Sequence, residues 1–209
     1  MTDILLIAMA ISLLYMSIAN RIFTYLRILI FQGIMLFGIT YLTLNQINVI
    51  NLMLIMLETI VLKAIIIPWF INYIIKRNGI TRETDPYLPN FISLIIVTAI
   101  IVVTIALTSS ITDNNIDKTV FVVALSTLFT GLYLIVSRKK IITHIIGYLV
   151  IENGVFVLSL AVGNEMPMLV NLGVMLDIFA SVLILGVFFN RIGDFLKDPD
   201  VNVLRNLKD

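Results

Sequence analysis

Long apolar runs separated by short polar connectors make up most of the chain. They are Ile4–Ala19, Ile22–Leu44, Val49–Ile75, Phe91–Thr108, Val120–Val136, Ile141–Val162 and Leu169–Asn190. Each is bounded by charge or turn residues and is close to the about 20 residues an α-helix needs to cross a bilayer. The pattern predicts an all-α integral membrane protein with seven transmembrane helices. The first run has no basic start, since Asp3 is the only nearby charge, and its Ala8-Met9-Ala10 match lies inside the run. It is therefore expected to be a retained helix and not a cleaved signal. The longest connectors are Lys76–Asn90, with Arg77, Asn78, Gly79, Pro86 and Pro89, and Ser109–Thr119. Both read as loops.

Composition sharpens this picture by exclusion. Of 209 residues, 60% are hydrophobic and only 13% charged, and mean hydropathy is +1.07. A soluble domain is about a quarter charged, so a soluble globule is excluded. Seven spans leave no room for a soluble catalytic domain. There is no cysteine, and His144 is the one histidine. Disulfides, iron–sulfur clusters and cysteine-rich zinc sites are ruled out. No phosphate-binding, dinucleotide or zinc-protease motif occurs. No cofactor, metal or catalytic centre is expected in this chain, and the net charge of +1 does not point to nucleic acid.

The distribution of charge is more informative than its sum. With seven spans, one membrane side receives Arg21, Lys76, Arg77, Arg82, Arg138, Lys139, Lys140, Arg191, Lys197, Arg205 and Lys208, with Arg27 close enough to snorkel. The other receives Lys118 with Asp3, Asp113, Asp117 and Glu165. The basic side is expected to be cytoplasmic. The predicted location is the cell (inner) membrane, N-terminus outside and C-terminus inside.

Spans one to three and five to seven are weakly alike. Leu14-Tyr15 matches Leu132-Tyr133 and Arg21 matches Lys139 at one offset, under which Glu58 falls one position short of Asp177. A second three-helix unit in the same orientation needs a helix to carry the chain back, and span four has that place. Chance similarity among apolar helices is the alternative. The expected organisation is a first three-helix unit over 1–76 and a loop, linker helix and outer loop over 77–118. A second unit over 119–192 and a cytoplasmic tail over 193–209 follow.

Four ionisable residues lie deep in the spans: Glu58, Lys63, Glu152 and Asp177. Each costs about 2.5–3.5 kcal/mol at a helix centre on insertion scales. Such residues commonly serve ion or proton movement; the alternative is that they pair and hold helices together. In an α-helix, Glu58 and Lys63 stand about 7.5 Å apart along the axis and about 140° apart around it, so they are not expected to pair. His144, Tyr148 and Glu152, spaced i, i+4, i+8, form one row that climbs about 12 Å. The row reads either as the side of a proton lead-in or as a carbonyl-bonded histidine and an interface tyrosine. Pro68 lacks an N–H and is expected to free the carbonyl of Ala64.

The segment Ile146-Gly147-Tyr148-Leu149-Val150-Ile151-Glu152-Asn153-Gly154, with Asp177 midway along the next helix, resembles the small K-type membrane subunit of respiratory complex I. It also resembles the C-type counterpart of that subunit in multisubunit cation/proton antiporters. The whole chain looks closer still to the hydrogenase-4 component E family of formate hydrogenlyase-type nickel–iron hydrogenases. Gln32, Lys63 with Pro68, the Glu-Asn-Gly block and the tail Asp200-Val201-Asn202-Val203-Leu204 carry that likeness. The resemblance implies two K-type units and a place among antiporter-like membrane subunits beneath a cytoplasmic hydrogenase arm. It also implies a non-catalytic role in a polar axis that couples redox chemistry to ion movement. Gln32 stands near where the first unit would carry its counterpart of Glu152, and Asp177 is one methylene shorter than the usual glutamate. Glu58 rests on depth and the approximate repeat alone. The proton-path candidates are thus Glu152, Asp177, Lys63, Glu58, His144, Tyr148 and Gln32. A cation/proton antiporter subunit without a redox arm and a structural spacer remain the rival expectations.

Overall fold

A computed structural model describes residues 1–43, 49–77, 86–111 and 116–162. Within them the chain forms α1 (Thr2–Ile18) and α2 (Ile22–Thr43), then a rod built of α3 (Val49–Met56), a π-helix π1 (Leu57–Ile66) and α4 (Ile67–Arg77). Three further helices follow, α5 (Asn90–Ser109), α6 (Lys118–Ser137) and α7 (Ile141–Val162). These are six helical rods, matching the first six expected spans to within one or two residues. Among the described residues, five helical stretches are long and apolar enough to cross a membrane: Ile22–Thr43, Leu57–Lys76, Asn90–Ser109, Lys118–Ser137 and Ile141–Ala161. Thr2–Ile18 is a shorter apolar helix, about 25 Å long. The expected seventh span, Leu169–Asn190, and the tail lie outside the described residues.

The sides of the helices are sorted as a bilayer requires. Outward faces carry large apolar side chains, such as Ile4, Ile7, Ile11, Tyr15 and Ile18 on α1 and Ile95, Val102, Val103 and Ile105 on α5. The inward faces hold the polar residues Ser12, Gln32, Thr59, Ser93, Thr104, Ser126 and Thr127. A water-soluble bundle does the reverse. Here serine and threonine hydroxyls satisfy themselves on carbonyls of their own helices, as Thr59 does on Ile55 (2.7 Å) and Thr127 on Val123 (2.7 Å), or on a neighbouring helix. Thr104 and Ser126 join α5 to α6 at 2.7 Å, and the Tyr133 hydroxyl donates to Ser93 at 2.8 Å. Ser93 and Thr104 of α5 therefore face inward, whereas Thr98 is exposed and bonds to the Leu94 carbonyl of its own helix.

Among the described residues, helix α6 and helix α7 form the tightest pair. A Cβ on Gly131 would meet the Gly147 carbonyl oxygen at 2.7 Å, and one on Gly154 would meet the Leu128 backbone nitrogen at 2.6 Å. Only residues without a side chain let the two backbones approach this closely. Helix α2 lies between π1 and α7, and α1 packs on α2, α5 and α6. The first three helices and the α6–α7 pair are thus interlocked through α2 and α1.

The ends of the rods sort as the charge pattern predicts. One apolar cluster gathers Ala19, Ile22, Ile74, Ile75 and Ile142, the other Leu6, Ile39, Val120 and Ala161. The first marks the end that carries Arg21, Lys76, Arg138, Lys139 and Lys140. Arg138 does not behave as a loop cation there. It is fully buried, donates from Nη2 to the Ser17 carbonyl (2.8 Å) and lies over the Tyr25 ring at 5.8 Å. Its backbone bridges to Pro86, so this residue ties α1, the segment leading into α5 and the α6–α7 corner together.

Candidate functional site

Three of the deep charges meet at the junction of α2, π1 and α7. The Lys63 ammonium stands 2.6 Å from Glu152 Oε1 and 3.9 Å from Glu58 Oε1. All three residues are buried, at 4% exposure for Glu58, 7% for Lys63 and 6% for Glu152. The Phe156 ring, one turn beyond Glu152 on α7, packs 4.6 Å from the ammonium, so α7 offers an anion and an aromatic face at i and i+4.

The approach of Lys63 to Glu58 corrects the sequence expectation. Five residues apart on an α-helix, the two would point about 140° away from each other. Residues 57–66 instead wind as a π-helix. Its hydrogen bonds run from i to i+5, which stacks residues five apart on one face. The same register pairs the Ile67 N–H with the Leu62 carbonyl. Pro68 follows as the second residue of α4, where the backbone ladder meets a residue without a donor.

Helix α2 holds the frame. A Cβ on Gly33 would meet Ala64 Cβ and the Thr59 carbonyl oxygen, both at 3.0 Å, so Gly33 is where π1 comes close. Its neighbour Gln32 is fully buried. The Gln32 amide donates to Ser12 Oγ (2.9 Å) and its carbonyl accepts from Asn153 (3.1 Å). This relay crosses α1, α2 and α7, and fixes α7 in rotation one residue from Glu152. Gln32 thus sits beside the charge cluster, as a neutral brace.

The cluster carries two carboxyls and one ammonium. Glu58 Oε1, both carboxyl oxygens of Glu152 and Lys63 Nζ have no hydrogen-bond partner among the described residues, so the three groups meet as ion-pair contacts. Fully ionised, the three groups sum to −1, so Lys63 offsets one carboxylate and one further proton would neutralise the cluster.

His144 and Tyr148 lie on α7 below Glu152, both half-buried. The His144 Nδ1–H donates to the Lys140 carbonyl at 2.9 Å. Among the described residues no hydrogen bond joins either ring to Glu152. Asp177 lies outside the described residues. Sequence reasoning missed Phe156 and Ser12 as parts of the site, and it marked Asn153 only as a polar neighbour of Glu152 and not as the partner of Gln32. The i+4 spacing of Phe156 from Glu152 was the available signal for the first.

A bundle with apolar outward faces, polar inward faces and a buried ion cluster defines a multi-pass helical membrane protein. Comparison with known proteins goes little further. No family model matches the chain, and no solved structure matches it. It is similar to "Uncharacterized protein Rv0085" of Mycobacterium tuberculosis, with 25% identity over 186 residues that span 88% of this chain and 84% of that one.

Proposed function

We propose that the chain is a non-catalytic membrane subunit of an ion-translocating hydrogenase complex of the formate hydrogenlyase type. In this reading Lys63, Glu58 and Glu152 are stations of a proton path at mid-membrane, with Asp177 on a seventh span and the His144–Tyr148 row leading in from the basic side. The reading includes two K-type units joined by α5, the N-terminus outside and the basic end in the cytoplasm of a cell that carries the protein in its inner membrane. Antiporter-like subunits would flank it in the bilayer and a hydrogenase arm would sit on the basic face.

The observation that supports a transport role is the surplus acid. A spacer subunit is favoured by the 2.6 Å Lys63–Glu152 contact, because pairing alone would serve to pin π1 against α7. That purpose is complete with one carboxyl. A second, Glu58, at 3.9 Å from the same ammonium adds an uncompensated buried charge, which is costly unless it holds a proton. A buried group that must exchange a proton to stay neutral is what a relay needs.

Purification of the tagged chain in mild detergent tests the assignment. Antiporter-like membrane subunits and a nickel–iron hydrogenase are expected to come with it. Antiporter-like subunits without redox partners would move the assignment to a cation/proton antiporter. A purified single chain that moved H⁺ or Na⁺ in liposomes would end the subunit reading.

A further inference from the structure

The ammonium of Lys63 occupies the place where a mobile cation would be held. Glu58 from π1 and Glu152 from α7 reach toward one buried point, and Lys63 Nζ fills it at 3.9 Å and 2.6 Å from their Oε1 atoms. The Phe156 ring closes another side at 4.6 Å and offers no ligand oxygen. A hard metal cation needs several oxygens around it. Here Glu58 and Glu152 each bring a carboxylate oxygen to this point, and a group of the same charge as Na⁺ already lies between them.

We propose that Lys63 is a specificity-determining residue, a tethered monovalent cation that bars Na⁺ from the buried Glu58–Glu152 carboxyl pair and restricts that pair to protons. The inference rests on the proton-path reading above and adds which ion the cluster accepts and what sets the choice. Lys63 offsets one carboxylate and a proton offsets the other. A proton needs no coordination shell and no added volume. Sodium would have to displace an ammonium that is bound covalently to π1 and whose acidic partners, among the described residues, are these two carboxylates.

The test uses membranes containing the full chain in its complex. They are treated with dicyclohexylcarbodiimide, which adds to protonated carboxyls in apolar surroundings, in sodium chloride or in choline chloride of equal strength. Mass spectrometry of the recovered chain reads the modified fraction at Glu58 and Glu152. The wild-type protein is expected to label at one or both positions, at the same rate in either salt. In Lys63→Ala the carboxylates gain a vacant seat, and sodium is expected to protect them. At a concentration about ten times its Kd it should slow labelling about tenfold, since the free fraction falls as 1/(1 + [L]/Kd). Lys63→Gln, which keeps the length and loses the charge, is expected to gain the same protection and serves if Lys63→Ala does not accumulate. Lys63→Arg should remain indifferent to sodium. Sodium protection of the wild-type protein would overturn the proposal without any variant. So would wild-type labelling at neither carboxyl, or sodium-indifferent labelling in both Lys63→Ala and Lys63→Gln. These outcomes report ion occupancy and not pumping. A Glu152→Gln complex that still pumps would end the proton-path reading and leave the sodium result standing.

Discussion

Lys63→Met removes the ammonium that faces two buried carboxyls, and the cost follows from the geometry. Breaking a buried ion pair by deleting one partner destabilises by about 3–5 kcal/mol. Glu58 and Glu152 can each take up a proton and discharge, so the lower end, about 3 kcal/mol, applies. For a chain of this size that is about 6–12 °C in Tm. Glu152→Gln should cost less, about 1.5–2 kcal/mol for a lost charged contact. Lys63 then still faces Glu58, at 3.9 Å, and the cluster is neutral. Glu58→Gln leaves the 2.6 Å contact intact and removes the surplus charge, so Tm should stay level or rise. The double variant Lys63→Met with Glu152→Gln leaves one carboxyl that a single proton neutralises. Its loss should fall short of the sum of the singles by about 1–3 kcal/mol. Thermal unfolding of the purified complexes in detergent measures all four. Additivity to within about 0.5 kcal/mol would refute the claim that Lys63 and Glu152 form one electrostatic unit.

Three further outcomes follow from the packing and the charge pattern. Gly154→Ala sets a methyl 2.6 Å from a backbone nitrogen of α6, whereas Gly38→Ala meets only the flexible Leu5 side chain at 2.9 Å; the first should lose about 1–3 kcal/mol and the second much less, and equal melting temperatures would contradict the tight α6–α7 contact. Single cysteines placed at Asn114 and Glu165 should react with an impermeant maleimide from outside, and one at the exposed Arg21 should not; external labelling at Arg21 would reverse the orientation, whereas the fully buried Arg138 is a poor probe of either side. Asp177→Asn should weaken proton movement while Asp177→Glu retains part of it, and wild-type pumping in Asp177→Asn would remove that residue from the path.

The apolar runs made six helices legible because charge and turn residues end each of them within a residue or two of the observed boundary. The deep positions of Glu58, Lys63 and Glu152 were legible for the same reason, since depth is a count along the helix axis. What the runs do not encode is rotation. A span that is apolar nearly all round has no period to reveal which face looks inward, so the partnership of Lys63 with Glu152 across α2 was not readable. The winding of residues 57–66 was hidden in the same way. Nothing in Leu57-Glu58-Thr59-Ile60-Val61 distinguishes i+5 from i+4 bonding, and the assumption of α-geometry separated Glu58 from Lys63 wrongly. Arg138 failed differently. A cation between two spans reads as a loop residue, and only the carbonyl of Ser17 and the ring of Tyr25, far away in sequence, explain its burial. The glycines of α6 and α7 gave no sign in the sequence of being the places where those two backbones meet.

Whether Glu152 carries protons decides between a proton path and a structural pin. Inverted membrane vesicles bearing the complex, supplied with its electron donor and a pH-sensitive dye, measure this directly for the wild type and for Glu152→Gln, with assembly checked by co-purification. The amide keeps the size of the side chain and its capacity to accept a hydrogen bond from Lys63, but cannot exchange a proton as a carboxyl does. An assembled Glu152→Gln complex whose redox-driven proton uptake is abolished or strongly reduced is the predicted result; uptake at the wild-type rate would contradict it and leave the cluster as a structural pin between π1 and α7.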